Sequence, residues 1–182
     1  MKFIETAIKN VKIIEVNVFA DERGFFMETF RADEFMAQTG AKPFVQDNHS
    51  KSTKGILRGL HYQLQQTQGK LVRVTTGSVY DVAVDMRKSS PTFGKAVGVV
   101  LSGDNKRQLW VPEGFAHGFY VMTDSAEFVY KCTDYYHPES EVSVRWDDAD
   151  LAIQWPLCAG EVAQVSAKDA SGFSFQDAPK FN

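Results

Sequence analysis

Imidazoles, a lysine and a tyrosine stand inside short apolar runs of this chain, where a fold would hold proton-moving side chains out of bulk water. His61 lies in Gly55-Ile56-Leu57-Arg58-Gly59-Leu60-His61-Tyr62-Gln63, Lys70 opens the run 70–75, His117 ends Pro112-Glu113-Gly114-Phe115-Ala116-His117, and Tyr130 sits within 127–132. Strict strand alternation puts His61 on a face with Leu57, Gly59 and Gln63, and puts Arg58, Leu60, Tyr62 and Leu64 on the other. The small glycine on that face leaves room for a ligand, and an imidazole is suited to take a proton at neutral pH. The same residue also reads as a core histidine satisfied by one hydrogen bond. Lys70 is in phase with Val72 and Val74. Pointing inward it would stabilise an oxyanion from a partly apolar cavity; pointing outward it would be an ordinary solvated lysine. Tyr130, in phase with Phe128 and Cys132, is predicted to be buried, either as a proton donor or as a structural tyrosine with a polar partner.

The elements that must position these groups read as mainly β. Apolar runs at 70–75, 79–86, 96–101, 107–111, 118–122 and 127–132 are broken by turn-forming clusters such as Ser102-Gly103-Asp104-Asn105 and Thr123-Asp124-Ser125. The runs 70–75 and 79–86 flank Thr76-Gly77-Ser78, which predicts a hairpin, and Tyr80, Val82, Val84 and Met86 alternate with Asp81, Ala83 and Asp85. Strands at this spacing favour a barrel or sandwich. Ala32–Thr39 is predicted as a two-turn helix stopped by Gly40, residues 147–152 as a further turn, and both as peripheral. Residues 166–182 are polar and dotted with aromatics, and are predicted to be irregular unless they fold over the barrel mouth as a lid.

The chain has 182 residues, 43% of them hydrophobic, which suits one domain with a sizeable core. Its 20 basic and 23 acidic residues give a formal charge of −3, so no global basic field is present for nonspecific nucleic-acid binding, and an anionic ligand must meet local positive charge. The N-terminus Met1-Lys2-Phe3-Ile4-Glu5-Thr6 resembles no secretory signal, and no apolar run approaches ~18 residues. The expectation is a soluble cytoplasmic protein without a membrane partner. Cys132 and Cys158 are far apart, lack C-x-x-C spacing and are read as reduced packing residues. A catalytic metal is the competing idea, because Pro112-Glu113-Gly114-Phe115-Ala116-His117 matches the turn that delivers one imidazole ligand in metal cupins. Those proteins draw two more from an H-x-H. Here the corresponding stretch is His61-Tyr62-Gln63-Leu64-Gln65-Gln66, which leaves a first-row metal short of donors. His49 and His137 lie in polar stretches without ligand spacing.

Further blocks carry a resemblance: Asp21-Glu22-Arg23-Gly24-Phe25-Phe26-Met27-Glu28, Val45-Gln46-Asp47-Asn48-His49-Ser50, Gly69-Lys70-Leu71-Val72-Arg73-Val74, Pro91-Thr92-Phe93-Gly94 and Ser166-Ala167-Lys168-Asp169. Together with the segments containing His61, His117 and Tyr130, and in this order, they make the chain similar to the dTDP-4-dehydrorhamnose 3,5-epimerase family of metal-independent cupins. The resemblance implies a single jelly-roll β-barrel or sandwich, no cofactor and no metal. It also implies a dTDP-4-keto-6-deoxy sugar as substrate, whose C4 ketone acidifies the hydrogens at C3 and C5. By the same resemblance His61 is the base, Asp169 the carboxylate that fixes its tautomer, Lys70 the cation at the enolate oxygen and Tyr130 the acid on the opposite ring face. His117 matches a pocket histidine. Arg23, Glu28, Gln46, Asp47, Asn48 and Arg58 match positions that hold the dTDP portion, Phe19 and Phe26 are suited to stack on thymine, and Glu141 and Lys168 are weaker matches. Arg58 conflicts with this, since alternation turns it away from His61; either a bulge at Gly59 resolves the conflict or Arg58 points toward a different part of the ligand.

The family is also a homodimer whose N-terminal strands, here within 1–30, cross to the partner, so Arg23 is expected to serve a neighbouring subunit. Ala167, where the family often has glutamate, and the undistinctive Gly172-Phe173-Ser174-Phe175 depart from its pattern. A 3-only epimerase or a ketoisomerase on a related sugar is the nearest alternative, and a noncatalytic sugar-binding protein is the alternative from another class.

Overall fold

The computed structural model describes residues 1–157 and 160–182, so Cys158 lies outside the described residues. Along the chain run β1 (Lys2–Glu5), β2 (Lys12–Glu15), β3 (Val18–Asp21), β4 (Gly24–Met27), α1 (Ala32–Thr39), β5 (Gln46–Thr53), β6 (Leu57–Gln63) and β7 (Lys70–Thr76). There follow β8 (Ser78–Asp85), β9 (Ala96–Ser102), β10 (Gln108–Val111), β11 (Phe115–Val121), β12 (Ser125–Cys132), β13 (Glu141–Ser143) and α2 (Ala167–Ala170). A six-stranded antiparallel sheet in the order β1-β2-β10-β7-β12-β5 faces a five-stranded one in the order β13-β6-β11-β8-β9, and β3 and β4 form a separate ribbon. Val72, Val74, Leu109 and Phe128 from the first sheet pack against Val79, Ala83, Phe119 and Val121 from the second. This shared core makes the molecule the β-dominated sandwich that its strand spacing favours, in keeping with the jelly roll that the resemblance implies.

The helix at Ala32–Thr39 forms as predicted. Gly40 closes it at φ 67°, donating its N–H to the Met36 carbonyl at 2.8 Å, a left-handed cap that costs glycine little. Phe35 pins the helix to the six-stranded sheet, meeting Trp110 edge-on with centroids 5.2 Å apart. Residues 147–152 form one turn, in which the Asp148 carboxylate accepts the N–H groups of Asp150 and Leu151.

The predicted hairpin across Thr76-Gly77-Ser78 does not form. β7 pairs with β10 and β12, whereas β8 pairs with β11 and β9, so the turn hands the chain from one sheet to the other. Gly77, at φ 75°, sits tight against Ser125 and Ala126, where a Cβ has no room. Turn chemistry reports that a chain reverses, not which strand it pairs with next. β8 also has both faces buried. Val79, Asp81, Ala83 and Asp85 are fully buried on its inner side, and Val82, Val84 and Met86 lie beneath the C-terminal tail. The face that carries Asp81 and Asp85 is therefore the one turned toward the other sheet.

The tail is more ordered than its composition predicts. Residues 167–170 form α2, Val144 bridges Phe173, Arg87 bridges Phe181, and Phe175, Ala178 and Phe181 cover the outer face of the five-stranded sheet. Buried apolar anchors compensate for the polar residues between them.

β6 carries a bulge. His61 pairs with His117 and Arg58 with Phe119, so two residues of β6, Gly59 and Leu60, stand opposite Gly118 alone. The extra residue resets the alternation: Leu57 turns outward to Tyr120 and Ala163, while Arg58 and His61 face the same cavity. Gly59 is required there, because at φ 114° a Cβ would lie 2.6 Å from both Gly118 Cα and His117 O. Gly59→Ala is expected to destabilise the fold by roughly 2–4 kcal/mol in urea unfolding, through backbone displacement at a left-handed position.

Asp85 gives a pH-dependent expectation. Burial raises its carboxyl, but hydrogen bonds from Arg87, Ser90 and Thr92 outweigh that and hold it at about 2. A group depressed from its ordinary ~3.9 contributes stability above that value and loses it as pH falls toward about 2. Asp85→Asn should cost about 2 kcal/mol at pH 7 and flatten stability between pH ~4 and ~2; unchanged neutral stability would contradict this.

Candidate active site

Two strands of one sheet and two of the other deliver the candidate groups to one cavity. After the bulge, β6 presents His61, whose Nε2–H donates to Asp169 Oδ1 at 2.5 Å. Asp169 comes from α2, where Ser166 caps the helix by accepting the Asp169 N–H at 3.1 Å, and the carboxylate also accepts from the Gly59 N–H at 3.4 Å. It is only 3% exposed. Burial raises the Asp169 carboxyl, but the His61 hydrogen bond and charge outweigh it, so it stays below the ordinary carboxylate range and ionised. With Nε2 engaged, Nδ1 is the ring nitrogen left for a ligand.

His117 stands beside His61 on β11 and repeats the arrangement. Its Nε2 meets Asp81 Oδ1 at 2.9 Å and Oδ2 at 3.0 Å. From the opposite sheet come Lys70 on β7 and Tyr130 on β12, and among the described residues neither side chain has a hydrogen-bonding or ion-pairing partner. Burial lowers the Lys70 ammonium, while Cys132, Glu141 and Asp81 pull it back up. Burial, with help from Cys132, pushes the Tyr130 phenol up to about 12, so it holds its proton at any working pH. Arg58, His61, Lys70, His117, Tyr130 and Asp169 line a cavity of about 600 Å³. Lys70 and Tyr130 therefore take the inward alternatives, although without the polar partner expected for the phenol.

Around the rim, Gln46, Asn48 and Glu141 share an adjoining hollow of about 350 Å³ with His61, Lys70 and Tyr130. Lys168 pairs with Glu141, which also accepts the Tyr136 hydroxyl at 2.8 Å. Arg58 is held through its Nε by Ser52 Oγ at 3.0 Å. Asp47 goes elsewhere: alternation along β5 turns it to the outer face, where it pairs with Lys131 at 3.0 Å. The ribbon of β3 and β4 carries Arg23, Phe19 and Phe26 into a hollow of its own, with Arg23 on Asp21 and the two rings 65% and 70% exposed. Glu28 pairs with Arg31 at 3.2 Å. Within one chain these residues do not reach the His61 cavity.

Sequence reasoning passed over Asp81, Ser52 and Tyr136. The signal for Asp81 was a carboxylate set between Tyr80 and Val82 in the middle of a strand; Ser52 and Tyr136 carried none. Among the described residues, no group of three or more His, Cys, Asp and Glu converges as a metal site, and both cavity histidines commit Nε2 to a carboxylate.

Comparison with known proteins gives this geometry its context. The chain matches the dTDP-4-dehydrorhamnose 3,5-epimerase family over residues 5–177. It is 57% identical over 183 residues to a dTDP-4-dehydrorhamnose 3,5-epimerase of Shigella flexneri, covering 100% of this chain and 99% of that protein. A Neisseria gonorrhoeae protein of the same name is 56% identical over 99% of this chain, which spans 54% of that longer relative. Among solved structures, a Legionella pneumophila dTDP-6-deoxy-D-glucose-3,5-epimerase in complex with dTDP-4-keto-L-rhamnose is 56% identical with a TM-score of 0.95, covering 100% of this chain and 98% of that one. A 3'-monoepimerase from Streptomyces bikiniensis in complex with dTDP-quinovose is 31% identical with a TM-score of 0.88, over 95% of this chain and 87% of that one. On sequence and fold together, the chain belongs to the dTDP-4-dehydrorhamnose 3,5-epimerase family.

Proposed function

We infer that this protein is an isomerase that inverts C3 and C5 of dTDP-4-dehydro-6-deoxy-D-glucose to give dTDP-4-dehydro-L-rhamnose. The observation that carries the reading is the opposition of groups across one cavity: His61 on one sheet, backed by Asp169 from α2, and Tyr130 and Lys70 on the other sheet. In the proposed reaction His61 Nδ1 takes the proton from the carbon next to the C4 ketone, and Asp169 stabilises the imidazolium that forms. Electron density moves to the C4 oxygen, where Lys70 binds the enolate more strongly than the ketone. Tyr130 then gives its phenolic proton to the opposite face of the same carbon, and solvent returns the imidazolium and the phenolate to their starting states. One ketone activates both centres, so the same groups serve C3 and C5.

Arg58, Gln46, Asn48, Glu141 and Lys168 are proposed to hold the sugar and diphosphate at the rim, where Arg58 and Lys168 supply the local positive charge that an overall charge of −3 withholds. Arg23, Glu28, Phe19 and Phe26 are proposed to act on a second copy, with the exposed aromatic ribbon closing the partner's nucleotide site; Asp47 would join them at that boundary. Phe19, Phe25 and Phe26 are 58–70% exposed, an apolar surface that a homodimer would cover. No helix among the described residues is long and apolar enough to cross a membrane, and the proposed compartment is the cytoplasm. A 3-only epimerase is the second reading, favoured by the likeness to the Streptomyces bikiniensis 3'-monoepimerase.

Incubation with substrate in deuterated water after chelation, followed by NMR, should show label at both C3 and C5. Label at one carbon supports the mono-epimerase, and none refutes the enzyme. His61→Ala should lose exchange at both carbons, whereas Tyr130→Phe should keep some proton abstraction and lose inverted product. Lys70→Met should lower kcat by about 10²–10³-fold and yet raise thermal stability at neutral pH, since it removes a partly buried ammonium that has no pairing partner among the described residues. The lowered lysine makes wild-type stability rise with pH toward the ordinary lysine value, because the unfolded chain binds more protons there; the Met variant should lack that rise.

A further inference from the structure

The proposed chemistry uses one histidine–carboxylate pair, but the cavity contains two. Asp81 is fully buried in the middle of β8, and its two oxygens lie 2.9 and 3.0 Å from His117 Nε2. No other hydrogen bond reaches this carboxylate among the described residues. A buried carboxylate in a strand that could have been wholly apolar is costly, and it is retained here directly behind a cavity-lining imidazole. Burial raises the Asp81 carboxyl, while His117 and, across the sandwich, the Lys70 ammonium draw it back down toward its charged form.

We propose that Asp81 is a positioning residue for the epimerisation: it fixes the proton of His117 on Nε2, so that Nδ1 faces the sugar, and it places negative charge behind the Lys70 ammonium. This rests on the proposed reaction and adds a second carboxylate to its machinery. On its own sheet Lys70 meets Cys132 and Tyr130; from the opposite sheet it faces Asp81, His61 and His117, and from the rim Glu141. Arg58, Lys168 and Asp169 share the same cavity. Asp81 and Glu141 are the carboxylates that draw the Lys70 ammonium upward against its burial, and of these only Asp81 also holds a cavity imidazole. Removing it lets the ammonium lose its proton at lower pH and frees the His117 ring to change tautomer.

The test compares wild-type protein and Asp81→Asn with the same dTDP-4-keto sugar across pH, with folding checked by circular dichroism. Wild-type label exchange tests the reaction itself; the comparison between the two proteins tests Asp81. The expected result is a folded variant with kcat reduced about 10–100-fold, KM changed less than about 3-fold, and the alkaline limb of kcat displaced to lower pH. A folded variant with an unmoved pH profile, or a loss confined to KM, would overturn the proposal. Ring ¹⁵N NMR of wild-type His117 decides the matter independently of the variant's folding. It should show Nε2 protonated and Nδ1 responding to dTDP-sugar, and a proton resident on Nδ1 with Nε2 bare would overturn it.

Discussion

The hydrogen bond between His61 and Asp169 ties together parts of the chain separated by 108 residues, and the geometry of the cavity depends on it. One partner is offered by a strand of the five-stranded sheet, the other by a short helix in the tail. For the bond to form, β6 must bulge at Gly59 so that His61 faces inward, and the segment through Gln164 must run beside Ile56 to bring α2 over the cavity. The Gly59 N–H, freed from the regular ladder by the bulge, donates to the same carboxylate. Bulge, strap and helix are thus one device for holding an imidazole in one orientation, with one nitrogen committed and the other free.

The ionisable groups of the cavity divide into those with partners and those without. His61, His117 and Arg58 are anchored by Asp169, Asp81 and Ser52. Lys70 and Tyr130 are held by strand pairing and packing, without a hydrogen-bonding or ion-pairing partner among the described residues, and both line the cavity. Stability is lost at Lys70, where burial opposes the charge, and the strength of its interaction with an enolate rests on the same burial. The Asp85 cluster shows how this fold treats an acid with a structural role: the carboxylate is surrounded by donors until it is far more comfortable charged than neutral.

Much of the framework was legible from residue pattern. Strand runs, turn clusters and the Gly40 cap follow from local backbone preferences, whereas the bulge at Gly59 was suggested only by the conflict between strand alternation and the pocket position that the resemblance implies for Arg58. What stayed hidden depends on contacts distant in sequence. The Thr76-Gly77-Ser78 turn looks like a hairpin because sequence reports reversal and not sheet membership. Asp81 was visible only as one member of an alternating run, because alternation does not tell an exposed polar face from an inner face that carries a buried carboxylate. The tail looked irregular, since anchors such as Phe175 and Phe181 gain their meaning only from the sheet beneath them. Of the site, His61, Lys70, Tyr130, Asp169, His117 and Arg58 meet in one cavity. Asp47 and the residues of the aromatic ribbon do not join them within a single chain.

The central claim is stereochemical: a base and an acid on opposite faces of one sugar ring, with a cation at the carbonyl between them. A crystal structure with the dTDP-4-keto product bound tests it most directly. The account predicts His61 Nδ1 and Tyr130 Oη on opposite faces of the ring, each within about 3.5 Å of a carbon next to the carbonyl, and Lys70 Nζ at hydrogen-bond distance from the C4 oxygen. A sugar with His61 and Tyr130 on the same face, or with its carbonyl turned away from Lys70, would contradict it.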